Sequence, residues 1–268
     1  MDSRTRVEAA LALDVADRAP AGWWGHTFVE EWSPEDLAVI TVDRARTYNW
    51  DFVKFQPRAC SFAQAFGADY RPSGNAHTAP ISGKQTITGL EDWQNLSLVN
   101  PKALSDQVES ISRVVTELGP SVPVIQTVFS PLSVAAYLVG ADKPKVLDEL
   151  RADPDVVGRG LSKIASALIE FAADSFGAGA AGVFYAISGF SSTEMTTTDE
   201  YREIALDFDR QILEAVPAGA WFNVLHMCGP ALHFDIAAGL PAQAVSWSVH
   251  DAGNPTLKEG RDATNKAV

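Results

Sequence analysis

The chain has 268 residues, 46% hydrophobic and 21% charged, which is enough chain for one large core. Its 34 acidic against 21 basic residues leave a net charge of −13, which argues against a nucleic-acid partner, and no basic run points to a membrane surface. Two cysteines, Cys60 and Cys228, exclude a disulfide framework and suit a reducing cytoplasm, and no apolar stretch approaches the ~20 residues of a membrane span.

The first segment, "MDSRTRVEAALALDVADR", is charged and amphipathic, so it reads as a helix and not as a signal peptide. "PAGWWGHTF" follows as a short apolar strand running into a loop. A second helix fits 34–48, with Ser33 as N-cap and two acids in the first turn. "WDFVKF" is a short strand ending at Pro57. Residues 58–100 hold clusters of Gly, Pro, Ser and Asn and read as a long loop or hairpin insertion. A helix over 102–118 precedes "VPVIQTVF", an apolar β-branched run with the look of a buried strand. Two short helices, "PLSVAAYLVG" and "PKVLDELRAD", lead to the clearest helix, 154–177, where apolar residues recur at three and four behind Pro154. "AGVFYAIS" is a strand and 198–216 a helix. "WFNVLHM", a short helix near Leu232, "AVSWSV" and "KAV" complete the chain.

Strands near residues 21, 52, 123, 182, 221, 244 and 266, alternating with helices, call for a parallel sheet with helical crossovers. The best match is an α/β fold of the (β/α)8 TIM-barrel type, as a single domain over 1–268, whose last strand-helix units are absent.

The stretches "RVEAALALDVADRAPAGWW", "YNWDFVKFQPRACSFAQAFGADY", "VPVIQTVFSPLSVAAYLVG", "GAAGVFYAIS" and "LHMCGP", in this order and spacing, resemble the uroporphyrinogen decarboxylase superfamily over nearly the whole chain. The resemblance implies a (β/α)8 barrel. It also implies that relatives run some tens of residues further, so a missing C-terminal segment is the expectation. The superfamily holds porphyrin decarboxylases and cobalamin-dependent methyltransferases acting on thiols. The decarboxylases carry arginines after the first strand, where this chain reads "GWWGHTF", and an aspartate after the second, where it has Arg58. The change from acceptor to fixed cation disfavours a porphyrinogen substrate.

The methyltransferase branch carries H-x-C-G at the end of the fifth strand, and His226, Cys228 and Gly229 match it. By that resemblance His226 and Cys228 are catalytic zinc ligands, the zinc serving to hold a thiol as thiolate. The branch takes its third ligand from a later Cys, which this chain lacks. His250 (with Asp251) and Cys60 are the substitutes on the same barrel face. The chain has no D-x-H-x-x-G corrinoid motif, so the resemblance implies a corrinoid carried by a separate protein.

Each candidate has a plainer reading. His226 and Cys228 read equally as a hydrogen-bonded His beside a buried thiol. Trp23 and Trp24 are an aromatic wall for a ligand or barrel filling, with His26 as a polar contact. Arg58 is a carboxylate anchor or an ion pair with Asp51 or Asp69. Gln126, Phe129 and Tyr185 contact substrate or fill the barrel, and Glu194 closes a Ser/Thr/Gly loop over a ligand or is a solvated loop acid. His77 and His233 read as surface or structural. The leading expectation is a cobalamin-linked, zinc-dependent thiol methyltransferase acting on a small molecule. Its rivals are a metal-free decarboxylase of a smaller acid anchored by Arg58, and a barrel that binds ligand without turnover. The Ala-rich helix leaves a homodimer open.

Overall fold

The structure, a computed structural model, describes residues 1–268. The first half of the chain holds α1 (Ser3–Leu11), α2 (Pro34–Thr47), β1 (Val53–Phe55) and α3 (Ser61–Ala65), then the hairpin β2 (Tyr70–Arg71) and β3 (Ile81–Ser82), α4 (Leu90–Asn95), α5 (Lys102–Leu118) and β4 (Val124–Phe129). The second half holds α6 (Pro131–Leu138), α7 (Lys143–Ala152), α8 (Pro154–Gly177), β5 (Gly182–Ser188), α9 (Thr198–Ile204), α10 (Leu206–Ala215), β6 (Val224–Cys228), β7 (Ala244–Trp247) and α11 (Leu257–Thr264). Strands β1, β4, β5, β6 and β7 pair in that order, all parallel, as helical crossovers require.

The helix starts follow the sequence signals. Ser33 accepts from the Asp36 amide, Asp153 from Val156, and Thr197 with Glu200 forms a capping box. The helix expected over 198–216 is two helices, broken at Ala205 (φ −133°, ψ −38°). Helix α11, started by a second capping box at Thr256 and Glu259, lies where sequence periodicity is silent. The 58–100 stretch is a compact excursion of short helices and one hairpin, tied down by the fully buried Trp93, whose Nε1 donates to Glu149 Oε2 at 2.6 Å.

Alternation along the parallel strands sorts side chains into two layers. Val128, Val183, Tyr185, Ile187, Leu225, Met227, Val245 and Trp247 face the helices and form the main core. The register Lys54–Ile125–Gly182 and Thr127–Phe184–Val224 puts the alternate set inside the curve of the sheet. Helix α1 closes the bottom of that curve, where Val7 packs on Ile125, Phe222 and Val224. Arg6 fixes it there by donating to the buried Asp51 at 2.6 Å, and Asp51 also accepts from Arg18 and from the Ala21 amide.

The curve does not close. The strand expected near residue 21 is an extended, unpaired segment; the Asp51 amide donates to Ala21 O at 2.8 Å, and Pro20 has no N–H to offer a ladder. At the other edge "KAV" makes one bridge, Ala267 with Ala244. The sheet is five strands plus these two contacts. No helix is long and apolar enough to cross a membrane.

Candidate active site: a cleft inside the open barrel

The inner face of the sheet borders a cleft of about 690 Å³, walled by Trp24, Phe52, Phe184, Phe222 and Val224 and crossed by Lys54, His226 and Ser246. Lys54 comes from β1 at one edge of the sheet and His226 and Ser246 from β6 and β7 at the other; side-chain alternation puts all three on the inner face, and the curve of the sheet brings them to one cleft.

His226 lies against Phe184, ring centroids 5.1 Å apart, and its Nδ1 is 3.2 Å from Ser246 Oγ. Burial, with the Lys54 charge added, pulls its pKa down to about 4, so it is a neutral imidazole. Lys54 is 7% exposed; its Nζ donates to Gln56 Oε1 at 2.6 Å and stands 3.8 Å from the Trp24 ring and 4.6 Å from the Phe184 ring. Burial lowers this ammonium to about 7, and the two ring faces favour its charged form.

A second layer lies above, at the strand ends. Arg58 is 7% exposed, and its Nε donates to Gln64 Oε1 at 3.1 Å while its guanidinium carbon sits 5.3 Å from the Trp32 ring. It has no ion pair. Asp51 is taken by Arg6 and Arg18, so the expected alternative of an Arg58–Asp51 or Arg58–Asp69 surface pair is corrected. The Cys60 thiol is pushed up to about 11 by burial, against the pull of Arg58. Burial likewise raises Tyr70 and Tyr137, the first also through Cys60 and the second through Tyr70 and Cys228. These groups form a rim running from Arg58 to Cys228, an exposed free thiol.

The sequence candidates divide accordingly. His226 and Cys228 do share the inner face of β6, with His226 bordering the cleft and Cys228 one layer higher. Trp24 borders the cleft, and both Trp23 (63% exposed) and Trp24 (56%) are open to solvent, so neither is the barrel filling of the plainer reading. His26 is one step removed: its Nδ1 is 2.7 Å from Glu31 Oε1, and Glu31 also accepts from the Ala59 amide beside Arg58. Phe129 reaches the rim, packed edge-on against Phe62 and Tyr137.

Gln126 and Tyr185 are corrected. They sit on the opposite strand parity from Lys54 and His226 and face the helices. Tyr185 donates to the buried Asp209, and Gln126 donates to the Thr127 carbonyl with its own Oε1 unpaired. Glu194 and His250 are exposed on loops. His233 is structural, its ring held by Thr196 and Thr198. Lys54, Gln56, Phe184 and Ser246 were missed. The signal was present in "VKFQPR", where polar residues at 54, 56 and 58 interrupt a strand at period two.

A family model for uroporphyrinogen decarboxylase (URO-D) matches residues 25–261. The chain belongs to the uroporphyrinogen decarboxylase family. Among solved structures, a methyltransferase from Methanosarcina mazei superposes with a TM-score of 0.76 at 19% identity, over 98% of this chain and 80% of that one, and this supports the fold of the family member. No curated protein matches the sequence.

The donor chemistry on β6 suits a thiophilic metal in part. A neutral imidazole whose Nδ1 is held by a hydroxyl leaves Nε2 for the cleft, and an accessible thiol lies two residues on. No third His, Cys, Asp or Glu joins them in a metal-sized cluster, and His250 does not supply one. The pair is two donors of a catalytic zinc's usual three.

Proposed function

We propose that this family member is a methyltransferase that binds a small substrate in the barrel cleft and methylates its thiol, with the methyl group brought on a corrinoid by a separate protein. The observation that carries the reading is the placement of His226 and Cys228 on one inward face of β6, the imidazole neutral and the thiol accessible. Zinc bound by this pair would supply a Lewis acid that keeps the substrate sulfur deprotonated.

The chain's own residues do the remaining work in this reading. Ser246 fixes the imidazole plane through Nδ1. Phe184, Phe222 and Val224 exclude water around the substrate, which strengthens every charge interaction inside. Lys54 in the cleft and Arg58 in the layer above place positive charge near the substrate sulfur and so favour a thiolate over a thiol. The open rim leaves the thiolate accessible to a methyl donor presented from outside.

The test is the metal content of freshly purified protein beside Cys228→Ala, with methyl transfer from a methylated corrinoid to a small thiol measured on both. About one zinc per chain, lost with turnover in the variant, is the expected result. Full turnover in Cys228→Ala overturns the reading.

A second reading, decarboxylation of a small acid without metal, is favoured by one observation: Arg58 is a buried guanidinium with no carboxylate partner in the chain. It predicts metal-free protein that releases carbon dioxide and loses that activity in Arg58→Gln, because a carboxylate bound by a bidentate fork loses both hydrogen bonds.

A further inference from the structure

We propose that the Lys54 ammonium anchors the carboxylate of a small organic acid whose apolar body lies inside the barrel cleft. The inference rests on reading the cleft as the substrate site, and holds for either reaction above. Lys54 is in the centre of the inner face of β1, walled by protein on its own strand and open on the cleft side. An ammonium has three N–H donors. One is used on Gln56, and Trp24 and Phe184 offer ring faces that attract the charge without satisfying a donor.

No Asp or Glu of the chain forms an ion pair with it, as none does with the buried Arg58 above, whereas the third buried cation, Arg6, is paired with both Asp17 and Asp51. A buried cation without a counter-charge is costly, and an anion entering from solvent removes that cost. The surroundings choose the kind of anion. Most of the lining around Lys54 is apolar, Phe52, Phe222 and Val224 among it, and of the cleft's other charged groups, Asp14, Arg18 and Arg261, Arg18 is already bound to Asp51. An aryl or alkyl chain suits that lining. The second polar side of the pocket is His226, stacked on the same Phe184 ring that Lys54 faces, so a carboxylate on Lys54 lies beside the imidazole. Arg58, in the layer above, is free to hold a second acidic group of the same ligand.

The probes are 3-phenylpropionate and its uncharged amide, titrated by ligand-observed NMR into the full-length protein, Lys54→Met and Lys54→Arg. The acid is expected to bind wild type at least about tenfold more tightly than the amide, the factor for one charge-assisted hydrogen bond. Lys54→Met erases that preference and keeps the amide affinity, and Lys54→Arg retains it. Equal affinity for acid and amide in wild type, a preference that survives in Lys54→Met, or no binding of the acid overturns the proposal. If Lys54→Met does not fold, the wild-type and Lys54→Arg comparison decides alone. Cys228→Ala is titrated alongside. A variant that loses turnover but binds the acid normally separates the methyl-transfer question from the anchor, and one that keeps full turnover sinks methyl transfer while leaving Lys54 to its own result.

Discussion

Asp209 shows how far one buried carboxylate can govern its surroundings without touching the cleft. It accepts from Tyr185 at 2.6 Å and from Tyr201 at 2.5 Å, with all three side chains shut inside the helix layer. Burial pushes its pKa up to about 7, against the pull of the two phenols. The folded state therefore binds a proton on Asp209 more tightly than the unfolded chain does. Stability from this group is complete below the ordinary Asp range and is lost as pH rises toward 7, by at most about 1.4 kcal/mol per pH unit. Asp209→Asn imitates the protonated form and keeps both neighbours paired. Urea unfolding of the two proteins between pH 5 and 7.5 should show a falling midpoint in wild type and a flatter one in the variant; parallel curves would remove the group from the account. The same residues show what the sequence hid. Tyr185 looks like a ligand contact because it lies on a barrel strand, yet its parity turns it outward. Parity is legible once one inner residue is known, and Lys54, masked by reading "WDFVKF" only as an apolar run, was the residue that would have fixed it.

At the scale of elements, the helices were the most legible part of the chain because their ends carry chemistry: Ser33, Asp153 and Thr197 each bond the amide their position requires. What escaped was the split at Ala205 and the whole of α11, both short pieces whose existence depends on tertiary partners more than on periodicity. Helix α8 makes the packing argument testable within one helix. A Cβ on Gly160 would stand 2.6 Å from the Trp93 ring, while one on Gly158 meets nothing within 4 Å. Alanine gains helix propensity of about 1 kcal/mol at either site. At Gly158 that gain stands alone, so Gly158→Ala should raise the thermal midpoint. At Gly160 the methyl must displace the indole that α4 buries and that Glu149 holds, an overpacking cost of about 1–3 kcal/mol. Gly160→Ala should therefore melt lower than wild type. A pair of variants that shift in the same direction would show that Trp93 gives way freely.

The whole molecule is an arc of five parallel strands, and the sequence foretold the alternation and the absent last units, but not that the segment near residue 21 stays outside the sheet. Strand and helix signals are local, whereas closure depends on whether the extended segment at 19–25 and the one at 266–268 meet partners far away in sequence. The last residues nevertheless hold one edge. The Val245 amide donates to Ala267 O at 2.9 Å, the Ala267 amide donates to Gln243 O at 3.1 Å, and Lys266 Nζ bonds the carbonyls of Ala237 and Leu240. Removing residues 265–268 would strip these bonds from the outer side of β7. In hydrogen exchange, Val245 should then lose protection while Val128 and Leu225, on strands paired on both sides, keep theirs. Uniform loss across all five strands would mean that the arc opens as one unit, and the cleft that Lys54 and His226 share would depend on its last four residues as much as on its first strand.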